Sequence, residues 1–322
     1  MEYRSLGTTG IAVSRLALGT LSFGGRSDRA ESERLYRLAR ERGINFFDCA
    51  NVYQKGVAEE YLGAFIKSER EKVVITTKAH SPMSDDPNDR GCSAKNLTQS
   101  LEQSLKRMGT DYVDLFFLHG NDGITSDEEI LTTIQKFVTQ GKILSFGVSN
   151  WSAWQTVRLI HKARAAHLPT VQCIQPMYNL AKRTAEIEIL PMAKAEQIAV
   201  MTYSPLGGGL LLGRYSPDAA EKSIRLSDNP RYQKRYGGPR YQEIAKGFLA
   251  VAKELGMHPA TLAVSWVLAN PAVTAPILGA GNVAQLLPSL EAIEHQLDES
   301  ILQALDRVSE PPPPAHDRTE LA

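Results

Sequence analysis

The chain contains the run VVITTK at residues 73–78, with NFFD at 45–48 before it and VDLFFLH at 113–119 after it. Each run is short, rich in β-branched or aromatic residues, and ends in a side chain that can hold or donate a proton: Asp48, Lys78 and His119. Tyr53 follows closely after the first run. Because the carboxyl ends of the parallel strands of a barrel meet at one mouth, these four side chains are predicted to share a pocket.

Similar runs recur along the whole chain and alternate with segments of helical period. Strands are predicted at residues 15–21, 45–49, 73–78, 113–119, 145–149, 171–175, 200–204 and 275–278. Helices are predicted at 31–42, 58–68, 94–108, 127–140, 152–165, 187–196 and 241–255. This alternation implies an α/β fold with parallel strands and right-handed crossovers, which closes most economically into a (β/α)8 TIM barrel.

Additional elements flank the predicted barrel. Residues 3–6 and 11–14 surround Gly7-Thr8-Thr9-Gly10 and predict a short N-terminal β-hairpin, and residues 298–308 predict an extra C-terminal helix. No linker interrupts residues 1–310, so they are expected to form a single barrel domain, followed by a proline-rich tail at 311–322. Region 214–240, which is rich in Arg and Lys, breaks the pattern and is interpreted as either a lid or a disordered loop.

The composition excludes several classes of function. The 322 residues carry a net charge of +0, which argues against a nucleic-acid or membrane-surface partner. Three separated cysteines, no signal-peptide core and no bilayer-length apolar stretch predict a cytoplasmic protein. The scattered histidines form no metal-binding motif, so no metal is expected and a metal-dependent hydrolase or lyase is disfavoured.

The four strand-end residues suit the protonation of a carbonyl oxygen. Tyr53 would donate the proton, Lys78 is expected to lower the pKa of the phenol, Asp48 to hold the Lys78 ammonium, and His119 to orient the carbonyl. No side chain supplies a hydride, so a nicotinamide cofactor is expected. A single such residue at a strand end would more often be structural. The coincidence of all four favours the catalytic interpretation.

At this point the chain resembles the aldo-keto reductase family over nearly its whole length. The opening at 3–10, the D-x-A-x-x-Y pattern from Asp48 to Tyr53, Thr77-Lys78, Leu118-His119, GVSN at 147–150 and QPMYNL at 175–180 carry the resemblance. It implies the barrel fold, NAD(P)H-dependent reduction of a carbonyl to an alcohol, and Tyr53 as proton donor with Asp48, Lys78 and His119 around it.

The resemblance also implies a set of cofactor contacts. Ser149, Asn150 and Gln175 would hold the nicotinamide carboxamide, Tyr203 would stack on its ring, and Asp48 lies beside it. The remaining predicted contacts are Thr20 and Leu21 after the first barrel strand, Ser204, Pro205, Leu206, Gly207 and Gly208 around the pyrophosphate, Arg214 at the phosphates, and Gly279, Gly281 and Gln285 on the adenosine side. Glycines allow backbone amides to approach a phosphate closely.

Two departures from the family pattern bear on the cofactor. Many relatives carry Arg, Lys or Ser near the 2′-phosphate of NADP, where this chain has Gly281, and Pro288-Ser289 replaces a common Glu-Asn. NADP is still favoured over NAD, because basic residues of region 214–240 could compensate. Their positive charge also suggests an anionic substrate such as a sugar phosphate. Aromatic candidates for the pocket wall are Tyr53, Trp151 and Trp154, and the oligomeric state is not encoded in any recognisable pattern.

Two alternative interpretations remain open. Tyr178 and Lys182 have the Y-x-x-x-K spacing of short-chain dehydrogenases, but no glycine-rich loop follows the first strand as that fold requires. Some relatives are weakly active, redox-sensing subunits of membrane channels. This chain starts directly at the hairpin, without an N-terminal extension, which favours the enzyme.

Overall fold

The computed structural model describes residues 1–215 and 230–318, and its centre is a closed barrel of parallel strands. The barrel strands are β3 (Ala17–Gly19), β4 (Phe46–Asp48), β5 (Val74–Ala79), β6 (Val113–Leu118), β7 (Ile143–Ser149), β8 (Val171–Gln175), β9 (Ala199–Thr202) and β10 (Ala275–Leu278). Each pairs in parallel with the next, and β10 pairs with β3 to close the ring. The predicted TIM barrel is therefore confirmed.

Helices lie between successive strands and around the barrel. They are α1 (Arg29–Glu41), α2 (Val57–Ile66), α3 (Ala94–Met108), α4 (Asp127–Thr139), α5 (Ala153–Ala165), α6 (Ile189–Ala195), α7 (Pro230–Tyr236), α8 (Pro239–Glu254), α9 (Pro259–Ala269), α10 (Val283–Leu290) and α11 (Glu299–Val308). The last of these is the predicted extra helix. All the predicted strands and helices are present, with ends shifted by a few residues.

Helix α9 has no counterpart among the helices predicted from periodicity. Eight consecutive residues from Ala260 to Val267 are buried, so the segment has no polar face that would produce a helical period. Its start is nevertheless marked locally, because Pro259 occupies the first turn and the His258 imidazole accepts a hydrogen bond from the Ala260 amide.

The N-terminal hairpin closes one end of the barrel. Strands β1 (Tyr3–Ser5) and β2 (Ala12–Ser14) pair antiparallel, as the sequence predicts. Leu6 and Val13 are fully buried against barrel residues that include Phe46 and Phe117. The hairpin therefore plugs the amino-terminal end, and the polar strand ends face the opposite mouth. A second, larger apolar core lies between the strands and the surrounding helices.

Part of region 214–240 lies outside the described residues, including its charged residues Lys222 and Arg225, so the structure does not address the choice between a lid and a disordered loop. Arg214 and Tyr215 are described, and the description resumes at α7. Its Tyr232 ring lies against the backbone of Gly208, and the Arg235 guanidinium is 5.5 Å from the centre of that ring. This segment therefore borders the loop that follows β9.

Within the described residues, no helix is long and apolar enough to cross a membrane. The same part of the chain contains no cluster of three or more residues suited to binding a metal ion.

Candidate active site

The Lys78 ammonium is the centre of the polar cluster at the barrel mouth. Its Nζ donates to Asp48 Oδ2 at 2.7 Å, to the Cys49 carbonyl oxygen at 2.7 Å and to Tyr53 Oη at 3.2 Å. The three acceptors use all three protons of the ammonium. Because the Lys78 side chain is 0% exposed, these contacts replace its hydration and hold it in one position.

The Asp48 carboxylate is held by residues from two other strands, β5 and β8. Its second oxygen, Oδ1, accepts hydrogen bonds from Gln175 Nε2 at 2.8 Å and from Thr76 Oγ1 at 3.1 Å. Its backbone oxygen accepts from Thr20 Oγ1 at 3.0 Å. The predicted residues Thr20 and Gln175 thus join the same network as Asp48 and Lys78.

The loop after β4 carries Tyr53 back over the lysine in an unusual backbone conformation. Gln54 and Lys55 have φ values of 49° and 54°, and Gly56 has φ 98°. Asn150 and Ser204, which follow β7 and β9, also have positive φ, at 60° and 59°. Left-handed non-glycine residues cost free energy and are concentrated at functional sites, and four of them lie at this mouth.

The pKa of Tyr53 moves in the opposite direction to the sequence-based expectation. Burial raises it well above the ordinary value, and the neighbouring Asp48 carboxylate raises it further. The expected lowering by Lys78 does not prevail, because burial disfavours the charged phenolate and Asp48, which lies against the same ammonium, offsets its field. The phenol is therefore held in its protonated form, the form in which it can donate a proton.

His119 faces the phenol from the end of β6. The centres of the His119 and Tyr53 rings are 6.1 Å apart in an edge-to-face arrangement. Burial, the Lys78 charge and the nearby His80 lower the pKa of His119 to about 3. The imidazole is therefore neutral near pH 7, carries one N–H and has one acceptor nitrogen.

The predicted nicotinamide residues form a continuous set of hydrogen bonds along one rim of the mouth. Tyr203 Oη donates to Asn150 Oδ1 at 2.8 Å, Asn150 Nδ2 donates to the His119 carbonyl oxygen at 2.9 Å, and Ser149 Oγ donates to the Gln175 carbonyl oxygen at 3.0 Å. The half-buried Tyr203 ring therefore spans from β9 to the end of β7.

The predicted phosphate loop is a turn in which three successive glycines have positive φ. It runs through Ser204, buried Pro205 and Leu206 into Gly207, Gly208 and Gly209, whose φ values are 58°, 67° and 102°. A side chain at Gly208 would meet the Tyr232 ring at 2.5 Å, and Tyr215 Oη donates to the Gly208 carbonyl oxygen at 2.9 Å. The Arg214 side chain approaches to 3.5 Å of the position that a Cβ of Gly209 would take. The aliphatic part of the Arg214 side chain thus lies beside the last of the three glycines.

The remaining predicted residues lie after the first and last barrel strands. Leu21 is 41% exposed, and its carbonyl oxygen accepts from Gln54 Nε2 at 3.1 Å. A Cβ at Gly279 would have nothing within 4 Å, so the space above β10 is open. The Gly281 amide donates to Gln285 Oε1 at 3.1 Å.

Sequence reasoning missed two partners at the centre of the site. Thr76 could have been found, because it lies two positions before Lys78 on the same strand and so projects to the same face. The Cys49 carbonyl carries no signal in the side-chain pattern. Of the aromatic candidates, Trp151 is 2% exposed, whereas Trp154 is 61% exposed with the Arg158 guanidinium 5.0 Å from its ring centre.

Comparison with known proteins shows the family of the chain. The profile of the aldo/keto reductase family matches residues 15–310. The chain belongs to the aldo/keto reductase family.

The chain is 38% identical over 320 residues to the uncharacterized oxidoreductase YrpG of Bacillus subtilis (strain 168), covering 96% of each chain. It is also 33% identical to a probable voltage-gated potassium channel subunit beta of Arabidopsis thaliana over 302 residues, which is 91% of this chain and 92% of that one. A protein of the same description from Oryza sativa subsp. japonica is 33% identical over 301 residues, again 91% of this chain and 92% of that one.

Family membership and the oxidoreductase relative support an oxidoreductase with the TIM-barrel fold. Aldo/keto reductases generally use NAD(P)H and act on small carbonyl compounds. The mouth of this member contains a phenol, an ammonium, a carboxylate and a neutral imidazole in one cluster.

Proposed function

We propose that this aldo/keto reductase reduces an aldehyde or ketone to an alcohol, with NADPH or NADH as the source of the hydride and Tyr53 as the proton donor. One observation carries the proposal: the Lys78 ammonium contacts the Tyr53 hydroxyl oxygen at 3.2 Å and the Asp48 carboxylate at 2.7 Å inside the barrel mouth.

Each of the four residues has a distinct proposed role. Tyr53 transfers its hydroxyl proton to the carbonyl oxygen of the substrate as negative charge develops there. Lys78 stabilises the phenolate that remains, because its ammonium stays in contact with the phenol oxygen. Asp48 holds Lys78 in position from the other side. Neutral His119 hydrogen-bonds the substrate oxygen and fixes its orientation without competing as an acid.

The residues present fit a nicotinamide dinucleotide. Three successive glycines with positive φ, flanked by Arg214, suit a pyrophosphate, and Tyr203 offers a flat aromatic face beside Ser149, Asn150 and Gln175. When bound, the cofactor supplies the hydride that no side chain can supply. NADP is favoured with NAD as the alternative, because basic residues of region 214–240 could compensate for the departure at Gly281. The residues Thr20, Leu21, Gly279, Gly281 and Gln285 would line the rest of the site.

The substrate class is proposed from charge. Lys234, Arg235 and Arg240 belong to the region after β9 and favour an anionic carbonyl compound, such as a sugar phosphate, over a neutral one. A sugar or sugar derivative would also suit the polar groups of the mouth.

A second candidate function follows from the two plant relatives described as potassium channel subunits. In that case the chain would bind the cofactor, turn over slowly and act as a redox-sensing subunit of a membrane channel. The four-residue cluster is compatible with both functions.

A turnover assay distinguishes the enzyme from the channel-type subunit. The purified chain is incubated with NADPH or NADH and a panel of simple aldehydes, free sugars and phosphorylated sugars, while loss of cofactor absorbance is recorded. Sustained reduction that requires Tyr53 supports the enzyme. Tight cofactor binding with negligible turnover on the whole panel supports the channel-type subunit. Equal rates with free and phosphorylated sugars would refute the preference for an anionic substrate.

A further inference from the structure

The first turn of helix α10, after the last barrel strand, is capped by oxygen atoms of this chain itself. The Gly281 amide donates to Gln285 Oε1 at 3.1 Å, and the Gln285 amide donates to Asn282 Oδ1 at 2.9 Å. The Val283 amide donates to Glu31 Oε1 at 2.8 Å, across 252 positions of sequence. A carboxylate from α1 thus lies at the N-terminus of α10.

Glu31 is well held in this position. Its side chain is only 17% exposed, and its other oxygen accepts from Arg34 Nε at 2.9 Å. The Arg34 hydrogen bond and then the Val283 amide lower the pKa of Glu31, so it is ionised near neutral pH. Arg34 is itself 65% exposed, so water screens its charge and it offsets the carboxylate only in part.

The inference from the position of this carboxylate rests on the proposed function, because it concerns the binding of a nicotinamide dinucleotide. Strands β9 and β10 are the seventh and eighth of the barrel, and the loops after these two strands commonly form a phosphate site together with a helix N-terminus. The proposed cofactor contacts put the pyrophosphate at Gly207–Gly209 and the adenosine end at Gly279, Gly281 and Gln285, and a Cβ at Gly279 would have nothing within 4 Å.

We propose that Glu31 is a specificity-determining residue that disfavours the 2′-phosphate of NADP(H) and so raises the relative affinity of the chain for NAD(H). A phosphate monoester carries nearly two negative charges at pH 7 and would be repelled by the fixed carboxylate. A ribose 2′-hydroxyl is uncharged and can donate a hydrogen bond to a carboxylate, as in NAD-dependent dinucleotide sites. Three amides of this turn, those of Gly281, Val283 and Gln285, are also already bonded within the chain.

The inference opposes the preference for NADP drawn from the sequence. That preference considered the residues of loop 279–285 and the basic region before it. The Glu31 carboxylate comes from the opposite end of the chain. Arg26 borders the same loop, with its Cβ 3.8 Å from the position that a Cβ of Gly281 would take. Because this is a second charged residue at the loop, the test changes the charge of Glu31 and leaves Arg26 unchanged.

The test compares the binding of NADH and NADPH to the full-length protein, measured by titration calorimetry without substrate. Glu31→Gln keeps an oxygen for the Val283 amide and removes the charge. The matched control is Glu33→Gln, which removes the same charge from the same helix at a side chain that is 41% exposed and pairs with Arg37. The ratio of the NADPH to the NADH dissociation constant is expected to fall about tenfold in Glu31→Gln and to change less than twofold in Glu33→Gln.

A change of less than twofold in Glu31→Gln, or an equal change in both variants, would overturn the role of Glu31. Failure of the unmodified chain to bind either dinucleotide would instead overturn the proposed function, and this inference with it. If Glu31→Gln does not fold, Glu31→Ala replaces it, because loss of the charge predicts the same shift of the ratio.

Discussion

The Nζ atom of Lys78 lies 3.2 Å from the hydroxyl oxygen of Tyr53 and 4.8 Å from the centre of the Tyr53 ring, although 25 positions separate the two residues. The loop after β4 brings the phenol to the end of β5, and the left-handed residues Gln54 and Lys55 follow Tyr53 directly. The cation therefore contacts both the oxygen atom and the π-face, a geometry that stabilises a phenolate more than a phenol.

Replacing Tyr53 with Phe should remove most reductase activity. General acid catalysis typically contributes about 10²- to 10⁴-fold, so a loss of that size in kcat is expected, with cofactor affinity changed less than threefold. Steady-state kinetics and cofactor titration measure the two quantities. Tyr61→Phe on α2, whose ring lies next to the Arg29 guanidinium, is the control. Activity of the Tyr53 variant within a factor of two of the unmodified protein would refute the assignment.

The buried pair of Asp48 and Lys78 should be strongly coupled. Removing one partner of a buried ion pair costs about 3–5 kcal/mol, because the other charge is left uncompensated. Asp48→Asn and Lys78→Met should each lower the free energy of unfolding by that order, and the double variant by clearly less than the sum. Denaturant unfolding checks this. The exposed pair of Arg37 and Glu33 should couple by less than about 1 kcal/mol, and equal coupling energies in the two pairs would contradict the argument.

Because the pKa of His119 is lowered in the folded chain, the free energy of unfolding should decrease as the pH is lowered. The ordinary pKa is 6.5 and the folded one about 3, so between these values the unfolded chain binds a proton that the native chain does not. Stability is lost as the pH falls, by up to about 1.4 kcal/mol per pH unit. His119→Gln lacks this loss, so the stability difference between the two proteins should shift by roughly 2 kcal/mol between pH 7 and pH 5.

Denaturant unfolding of both proteins at the two pH values measures this shift, with His161→Gln, an exposed site on α5, as the control. A stability difference that stays constant over this range would show that His119 takes up a proton equally well in the folded and unfolded chains.

Gly208→Ala should weaken cofactor binding more than Gly141→Ala does. Gly208 and Gly141 have nearly the same φ, 67° and 68°, so both variants carry a similar backbone strain of about 1 kcal/mol. A Cβ at Gly208 would meet Tyr232 at 2.5 Å, whereas one at Gly141 has nothing within 4 Å. Gly208→Ala should therefore weaken dinucleotide binding at least tenfold and Gly141→Ala hardly at all. Equal affinities in a titration would exclude Gly208 from the phosphate loop.

Local sequence patterns predicted most of the architecture. A buried barrel strand is a short apolar run and an amphipathic helix has a period, so both could be recognised without tertiary information. Helices α7, α9 and α10 are exceptions, and α9 is buried on all sides and so has no such period. Parallel strands of one barrel end at the same mouth, which is why Asp48, Tyr53, Lys78 and His119 could be expected to lie together.

The sequence by itself thus determined the order of the strands and which polar side chains end them, because both depend on short-range patterns and on topology. Only the tertiary structure decided the raised pKa of Tyr53, the third acceptor of Lys78 at the Cys49 carbonyl, and the contact of Glu31 with Val283. The physical reason is that burial, backbone acceptors and electric fields are set by groups distant in sequence, and residue identity does not encode their distances.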